Sequence, residues 1–361
     1  MANDIKWTLR SYQDGDEAEI LKLWRQVFRR DRSIDHWNWK FKNNPYAKAQ
    51  AVLACSDPDG KIIGQYTSMP VKLNYIGKPL LACQGLDLMV HPDYRYQGIF
   101  LEAEQFYYNK LRKDEMCLVY GFPHENSDPG FSRRLAYKRI SHLKRYSFRL
   151  GIYQDVLFLL RQPLFAKAVN FGYTLLRSIW LRPKLRLQRF ILRKRLGQSP
   201  TEAQSKTVPE GYDKFWNFMR SYDILSIWKD SEYLSWRYDQ NPDNDFKYFY
   251  LVQDGKIIAL AVLTEQPNED IMIYEWLIQR RDVQLGQLLL NHIVSYYAGQ
   301  QYRRIRFIGK DAGFFDEVFA SFSAEILFYF VFHAKALNGT ELNKDFAHPH
   351  NWTITFGDMD S

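Results

Sequence analysis

The sequence has few cysteines and no apolar run long enough to cross a membrane. It contains three cysteines in 361 residues, Cys55, Cys83 and Cys117. Each lies in an apolar, strand-like run without metal-ligand spacing, so we expect buried, reduced thiols in a cytoplasmic protein and no metal site. The N-terminus shows no secretory signal pattern. No apolar stretch reaches the roughly 20 residues that span a bilayer.

Acidic residues are missing from one long stretch. Residues 161–195 contain ten Lys and Arg and no Asp or Glu, whereas the net charge of the whole chain is +8. The basic character therefore belongs to this segment. Apolar residues alternate with the basic ones, and we expect Pro183 to break the segment. A helical linker whose apolar side packs on both domains is one interpretation. Peripheral contact with anionic lipid at the inner face of the membrane is another. A nucleic-acid site fits least well.

A repeated motif indicates that the chain contains two copies of one domain. Residues 37–45 read WNWKFKNNP and residues 234–242 read LSWRYDQNP, which aligns Trp39 with Trp236 at an offset of 197. The turn sequence DGKII also occurs twice, 195 residues apart. Two matches in the same order and at nearly one spacing favour duplication over chance.

The two copies predict the same order of elements. We expect strands at residues 51–55, 62–70, 80–90 and 116–122 in the first copy, and at 247–253, 257–264, 271–279, 304–308 and 325–333 in the second. The fold class is then α/β (α+β), with a mixed, mostly antiparallel sheet flanked by helices. The predicted domains are residues 1–150 and 206–361, joined by a basic amphipathic helical connector at 151–205.

Residues 88–101, LMVHPDYRYQGIFL, carry the clearest functional signal. A strand is predicted to end at Val90, a Pro-Asp turn follows, and helical spacing begins at Ile99. The loop between them leads to a helix N-terminus, where free N–H groups and the helix dipole attract phosphate. Arg95 adds positive charge, and Gly98 lets the backbone approach a ligand closely.

This stretch resembles the acyl-CoA-binding motif of the GNAT superfamily of N-acyltransferases, whose loop reads Arg/Gln-x-x-Gly-x-Gly/Ala. Arg95 and Gly98 match, and Phe100 replaces the last small residue. The resemblance implies that the pantetheine arm of acetyl-CoA, or of another acyl-CoA, lies between two splayed parallel strands. It also implies that the cofactor contacts Leu88, Met89, Val90, Arg95, Tyr96, Gln97, Gly98, Ile99 and Phe100, with Asn126 near its sulfur.

An amine that attacks the thioester must first lose a proton, so the reaction calls for a base. Asp87 lies in the strand among apolar residues that would raise its pKa, although a hydrogen-bonded structural carboxylate is an equal alternative. Glu125 follows the next strand directly, and His91 fits a turn residue better than a base. A general acid is often a Tyr in this family; here Tyr120 and Tyr137 are nearby, and a thiolate can leave without one.

The second copy departs from the motif. Its loop contains Asp282 where a pyrophosphate would lie and Gln284 in place of glycine, so we expect it to have lost acyl-CoA binding. The sequence therefore predicts a tandem GNAT acyltransferase with one catalytic and one degenerate domain. An amino sugar or cell-envelope precursor is a candidate amine acceptor. The alternative is a non-catalytic acyl-CoA-binding protein that docks through its basic connector.

Overall fold

The computed structural model describes residues 6–47, 50–57, 59–113, 115–123, 128, 130–197, 199–266, 270–320, 325–337 and 342–359. The strands in these ranges are β1 (Trp7–Ser11), β2 (Gln50–Ser56), β3 (Ile62–Tyr75), β4 (Lys78–Val90), β5 (Leu118–Gly121), β6 (Lys138–Arg149), β7 (Thr201–Ser205), β8 (Leu225–Ile227), β9 (Phe246–Gln253), β10 (Lys256–Glu265), β11 (Asp270–Ile278), β12 (Arg304–Lys310), β13 (Glu325–Ala336) and β14 (Ile354–Thr355).

The helices in the same ranges are α1 (Glu17–Phe28), α2 (Ile34–Phe41), α3 (Ile99–Lys113), α4 (Tyr153–Leu160), α5 (Pro163–Leu196), α6 (Tyr212–Met219), α7 (Ser231–Leu234), α8 (Val283–Tyr297), α9 (Phe314–Ala320) and α10 (Leu342–Asp345). Each strand predicted from alternation is present, with shifted ends. The three cysteines are buried free thiols, as predicted. Among the described residues, no helix combines the length and the hydropathy that a membrane span requires.

The described strands form one sheet, in the order β1-β2-β3-β4-β5-β13-β6-β12-β11-β10-β9-β7, with β14 beside β12 and β8 beside β3. Two neighbouring strand pairs on this path are parallel, β4 with β5 and β11 with β12, and the other neighbours are antiparallel. The predicted fold class, a mixed and mostly antiparallel sheet flanked by helices, is therefore confirmed.

The two copies exchange strands at the centre of this sheet. β6, from the first copy, pairs with β12 along Arg149–Lys144, and its Tyr146 stacks on Phe319 of α9 at 4.9 Å. β13, from the second copy, pairs with β5, where His333 lies opposite Gly121. The sheet is thus continuous through both copies. The division at residues 150 and 205 stays a prediction.

The repeated tryptophans meet each other. The rings of Trp39 and Trp236 stack with centroids 5.4 Å apart. The Nε1–H group of Trp39 donates to the Trp236 carbonyl at 2.7 Å, and that of Trp236 donates to the Trp39 carbonyl at 2.9 Å. Such self-complementary contacts are typical of a twofold arrangement. The internal repeat is therefore a structural pseudo-symmetry, and its axis passes between these rings.

The connector differs from two expectations: a break at Pro183, and an apolar side that packs on both domains. α5 runs unbroken across Pro183, so the predicted break is wrong. Contacts on either side hold the helix: Arg182 donates to the Ala298 carbonyl at 3.3 Å, and Asn291 of α8 donates to the Leu185 carbonyl at 2.9 Å. Its larger apolar side chains do not pack on both domains, because many of them face outward.

Candidate active site

An open cleft lies where β4 and β5 separate. The two strands pair in parallel from Ala82–Leu118 to Gln84–Tyr120, and beyond that point the edge of β4 has no strand partner among the described residues. The resulting cavity has a volume of about 320 Å³. Its walls are the backbone and side chains of Gly85–Val90 and Tyr120–Pro123, together with Phe28, Phe100 and Phe131.

A tight basic loop connects this cleft to α3. His91 begins the turn, and its Nδ1 accepts the N–H of Asp93 at 3.3 Å. Burial lowers the pKa of His91, which keeps the imidazole neutral in this role. The chain then turns back through Tyr96, with φ 67°, and Gly98, with φ 84°. The positive φ explains why glycine suits position 98.

The start of α3 offers several features that attract an anion. The N–H groups of Gly98, Ile99 and Phe100 have no hydrogen-bond acceptor in the part of the chain that the structure describes, as expected for a first helical turn. Arg95 is exposed and makes no ion pair with any described residue. One feature opposes an anion: Glu102 places a carboxylate oxygen 3.8 Å from where a side chain at Gly98 would begin.

The predicted cofactor residues divide into three groups. Leu88, Met89, Val90 and Phe100 line the cleft. Arg95, Tyr96, Gln97 and Gly98 form the loop, with Tyr96 fully exposed. The side chain of Ile99 packs in a small cluster with Ala54 and Ile63, so only its backbone could contact the predicted cofactor. Asn126 and Glu125 lie outside the described residues.

Phe100, the residue that departs from the motif, lies against the sheet. Its ring is 5.9 Å from that of Tyr66 and 5.9 Å from that of Phe131, which it meets edge-on. It therefore forms one wall of the cleft. The bulky side chain narrows the cavity.

Asp87 is held by two cations. Its carboxylate pairs with the guanidinium of Arg32 and with the ammonium of Lys40, whose Nζ lies 3.3 Å away. Asp87 has φ 51°, a left-handed conformation within β4. Gln65 donates to its carbonyl at 3.1 Å. These ion pairs favour the structural alternative for Asp87, and its role as a base stays a prediction.

The tyrosines near the cleft have engaged hydroxyl groups. Tyr120 lines the cleft, and its hydroxyl donates to the carbonyl of Asp358 at 3.2 Å. The hydroxyl of Tyr137 lies at hydrogen-bonding distance from that of Tyr108. Burial raises the pKa of both Tyr120 and Tyr137. Both are therefore weak proton donors to a leaving thiolate.

Glu104 is a buried carboxyl that sequence reasoning missed. It lies one helical turn beyond Phe100 and accepts a hydrogen bond from Tyr66 at 3.4 Å. Burial raises its pKa to about 7, against the opposing hydrogen bond from Tyr108 and the charge of Lys335. Its position on the inward face of α3, four residues after Phe100, was the available signal.

The equivalent cleft in the second copy is filled by protein. β11 and β12 pair in parallel up to Ile273–Phe307 and then separate. β14 enters this gap and pairs with the end of β12, with Thr355 opposite Gly309. Residues 356–358 follow it, and Gly357 packs so closely on Tyr238 and Glu275 that a side chain there would overlap both.

The loop of the second copy is capped by its own acid. The Asp282 carboxylate accepts the N–H groups of Gln284 at 2.8 Å and Leu285 at 3.1 Å. Arg281 pairs with Asp223 at 2.6 Å. Gly286 meets Val318 of α9, where a side chain would be too close. In the second copy, the carboxylate of Asp282 thus accepts the N–H groups at the helix start. The corresponding N–H groups of the first copy have no acceptor among the described residues.

Comparison with known proteins agrees with this geometry. Residues 8–140 match the family model of an acetyltransferase (GNAT) domain. No curated protein has a significant match to the sequence.

Solved structures share the fold across nearly the whole chain. A probable N-acyltransferase from Enterococcus faecalis superposes with a TM-score of 0.61 at 12% identity, over 92% of this chain and 73% of that one. A tandem GNAT protein from the clavulanic acid biosynthesis pathway gives 0.57 at 12% identity, over 93% and 100%. Saccharomyces cerevisiae N-myristoyltransferase with bound myristoyl-CoA gives 0.55 at 12% identity, over 91% and 82%.

The family match covers the copy with the open cleft and the basic loop, and the structural matches extend through the copy whose cleft is filled. Residues 8–140 therefore match the GNAT acetyltransferase domain, and the chain has the tandem GNAT fold.

Proposed function

We propose that the protein transfers an acyl group from acyl-CoA to an amine by direct attack on the thioester, and that the first copy alone binds the cofactor. The observation that carries this proposal is the open cleft between β4 and β5 beside a basic helix N-terminus. The same gap in the second copy contains β14 and residues 356–358. One acyl-CoA per chain is therefore expected.

In the proposed complex the pyrophosphate lies on the N–H groups of Gly98, Ile99 and Phe100, near Arg95. The pantetheine arm lies along the unpaired edge of β4. Backbone groups of Leu88–Val90 polarise the thioester carbonyl as negative charge develops on its oxygen. The amine attacks as the free base, the C–S bond breaks, and the thiolate leaves; a thiol pKa of about 8.5 means that it needs no protein acid.

Acetyl-CoA is the donor we propose. The cavity of about 320 Å³ must hold part of the pantetheine arm. Aromatic rings of Phe28, Phe100 and Phe131 close its walls. Little room remains for a long acyl chain.

The proton acceptor we propose is Glu125, with Asn126 near the sulfur, because Asp87 is occupied by Arg32 and Lys40. Glu125→Gln should lower kcat and remove the acidic limb of the pH–rate profile, in which the rate falls as the base is protonated. Asp87→Asn should lower stability and leave the shape of that profile unchanged. The reverse pattern would make Asp87 the base.

A second cavity supports an amino-sugar or cell-envelope saccharide acceptor. It has a volume of about 570 Å³ and is lined by Tyr12, Asp14, Trp37, Lys42 and Gln65 among others. Largely buried Trp37 and half-buried Tyr12 pack against each other in its wall, with ring centroids 5.4 Å apart. The exposed carboxylate of Asp14, beside Lys42, offers a negative charge to an amine. Gln65 links this cavity to the β4 backbone through its hydrogen bond to Asp87.

The first experiment is calorimetric titration of acetyl-CoA into the wild type and into Gly98→Glu, followed by thiol release with glucosamine and other amino sugars as acceptors. We expect one site that the substitution abolishes, because it adds an anion and strains the turn. The substitution Asp282→Glu in the second copy is the matched control and should leave the titration unchanged.

The outcomes separate the alternatives. Two sites would contradict the assignment of one cofactor per chain. Binding without thiol release for any amine would favour the non-catalytic acyl-CoA-binding protein. Absence of binding would show that Phe100 and its neighbours close the cleft.

A further inference from the structure

We propose that the hairpin of α4 and α5 docks on an anionic lipid surface, with its apolar tip among the acyl chains and its basic residues among the headgroups. This docking surface consists of residues 156–195. The proposal does not depend on the transferase activity, because no residue of this surface lines the cleft or the acyl-CoA loop.

The tip of the hairpin projects from the body of the protein. All eight residues from Phe158 to Phe165 are exposed. Phe158 is 84% exposed and Leu164 is 83% exposed. Further along, Ala166 is buried, and Asn170 donates to Gln301 of the second copy at 2.7 Å. Residues 158–165 therefore form an exposed, largely apolar projection.

The rest of α5 is apolar on its outer side. The buried residues of α5 form its inner face. They are small or polar apart from two leucines: Ala166, Asn170, Thr174, Ser178, Leu185 and Leu192. The outer side carries Phe171, Leu176, Ile179, Trp180, Leu187 and Phe190, each more than half exposed. A surface helix of a globular protein shows the opposite pattern. A contiguous apolar surface of this kind marks an interaction site.

The charges on the surface identify the partner. Lys184, Arg186, Lys194 and Arg195 are exposed and have no ion-pair partner among the described residues. Arg189 and Arg193 instead pair with Glu202 of β7. Since residues 161–195 contain no acid, a second copy of the surface would meet the first with like charge. Apolar side chains between cations fit a bilayer whose headgroups are anionic.

The test is sedimentation of the full chain with vesicles of phosphatidylcholine, with and without phosphatidylglycerol, at low and high salt. The variant called the tip variant carries Phe158→Ser and Leu164→Ser at the tip and Trp180→Ser on the outer side of α5. The charge variant carries Lys184→Glu, Arg186→Glu and Arg195→Glu. We expect the wild type to bind the anionic vesicles, more weakly in high salt, and each variant to bind at least ten-fold more weakly.

Matched controls replace exposed residues elsewhere. Ile34→Ser, Ile76→Ser and Phe106→Ser remove side chains that are between 41% and 56% exposed. Lys78→Glu, Lys214→Glu and Lys256→Glu reverse three exposed charges. The charge control shares the net charge of the charge variant and should retain most of the binding. Thiol release and circular dichroism report whether each variant is folded.

Three results would overturn the proposal. One is absence of binding to anionic vesicles at low salt. Another is full binding by the tip variant with loss in the charge variant, which would indicate a purely electrostatic partner such as nucleic acid. The third is a dimer in solution that the tip variant converts to a monomer, because the surface would then bind a second chain.

Discussion

The two copies have the same gap between parallel strands and use it differently. In the first copy the gap is an open cleft of about 320 Å³ beside a basic loop. In the second copy β14 and Gly357 occupy the gap, and Asp282 caps the adjacent helix. The comparison shows that the splayed sheet is a property of the fold. Ligand binding, as proposed for the first copy, requires in addition a free gap and a free helix start.

The copies also share a buried ion pair. Arg32 and Lys229 are 197 residues apart, the offset that aligns Trp39 with Trp236. Arg32 pairs with Asp87, three residues before the end of β4, and Lys229 pairs with Glu275, three residues before the end of β11. A pair that occurs also in the filled copy serves the fold. The comparison therefore argues for a structural role of Asp87.

The largest expected effect comes from breaking this pair in each copy. Lys229→Met leaves Glu275 and Asp358, both buried, without the ammonium that now lies 2.8 Å from Asp358. We expect a loss of about 3–5 kcal/mol in the free energy of unfolding. Arg32→Met should cost less, roughly 1–3 kcal/mol, because Lys40 remains beside Asp87. Urea denaturation measures both; equal losses would contradict this difference between the copies.

The next effect concerns Glu104, a buried acid with tyrosine neighbours in the first copy. Because its folded pKa of about 7 lies above the ordinary value of 4.5, the folded state binds more protons between these values. The contribution of this group to stability therefore falls as pH rises from about 4.5 to about 7. This fall in the free energy of unfolding amounts to roughly 3 kcal/mol, and Glu104→Gln should abolish it.

Urea denaturation at about pH 5 and about pH 8 tests this dependence. Glu102→Gln, on the exposed side of the same helix, is the control and should keep the wild-type pH dependence. A pH dependence that is identical in wild type and Glu104→Gln would show that Glu104 titrates normally.

A smaller effect distinguishes the filled gap from the open one. Gly357→Ala introduces a methyl group that overlaps Tyr238 and Glu275, and we expect it to cost about 1–3 kcal/mol. Gly130→Ala, near the open cleft, meets no atom within 4 Å and has no positive φ. It should change stability by less than about 0.5 kcal/mol. Thermal unfolding of the two variants side by side measures the contrast, and similar melting temperatures would argue against a tightly filled gap.

The smallest effect sharpens the comparison of the two helix starts. Glu102 places a negative charge near the acyl-CoA loop of the first copy, although far less directly than Asp282 does in the second. Glu102→Gln should tighten acetyl-CoA binding by a few-fold, as expected for a partly screened charge worth under about 1 kcal/mol. Calorimetry at low salt measures this change. Weaker binding would mean that Glu102 orders the loop.

Much of the fold could be predicted because its signals are local. Alternation located the long strands, and the repeat containing Trp39 and Trp236 revealed the duplication. The offset of 197 also held the signal for the Arg32 and Lys229 pairs, since both positions carry a cation. The loop at Arg95 and Gly98 was recognisable because a strand, a turn and a helix follow one another in the chain.

The rest depends on contacts between distant residues. The alternation in β6 and β13 fits pairing in either copy, so local sequence does not reveal the exchange. Ile354 and Thr355 show no pattern that predicts insertion beside β12. The periodicity of α5 was visible, but both sides of the helix contain apolar residues, and packing on α8 decides which side stays exposed. The ion pairs of Asp87 with Arg32 and Lys40, which argue for a structural role, join residues that are distant in the chain.

The strand exchange has a consequence for biosynthesis. β5 pairs with β13, which follows it by about two hundred residues in the chain. While the ribosome makes the intervening segment, the edge of β5 that receives β13 stays open. Open strand edges promote aggregation. The first copy therefore cannot complete its sheet before the second is made. A gene fragment that encodes the first copy alone should yield insoluble protein unless β13 is supplied with it.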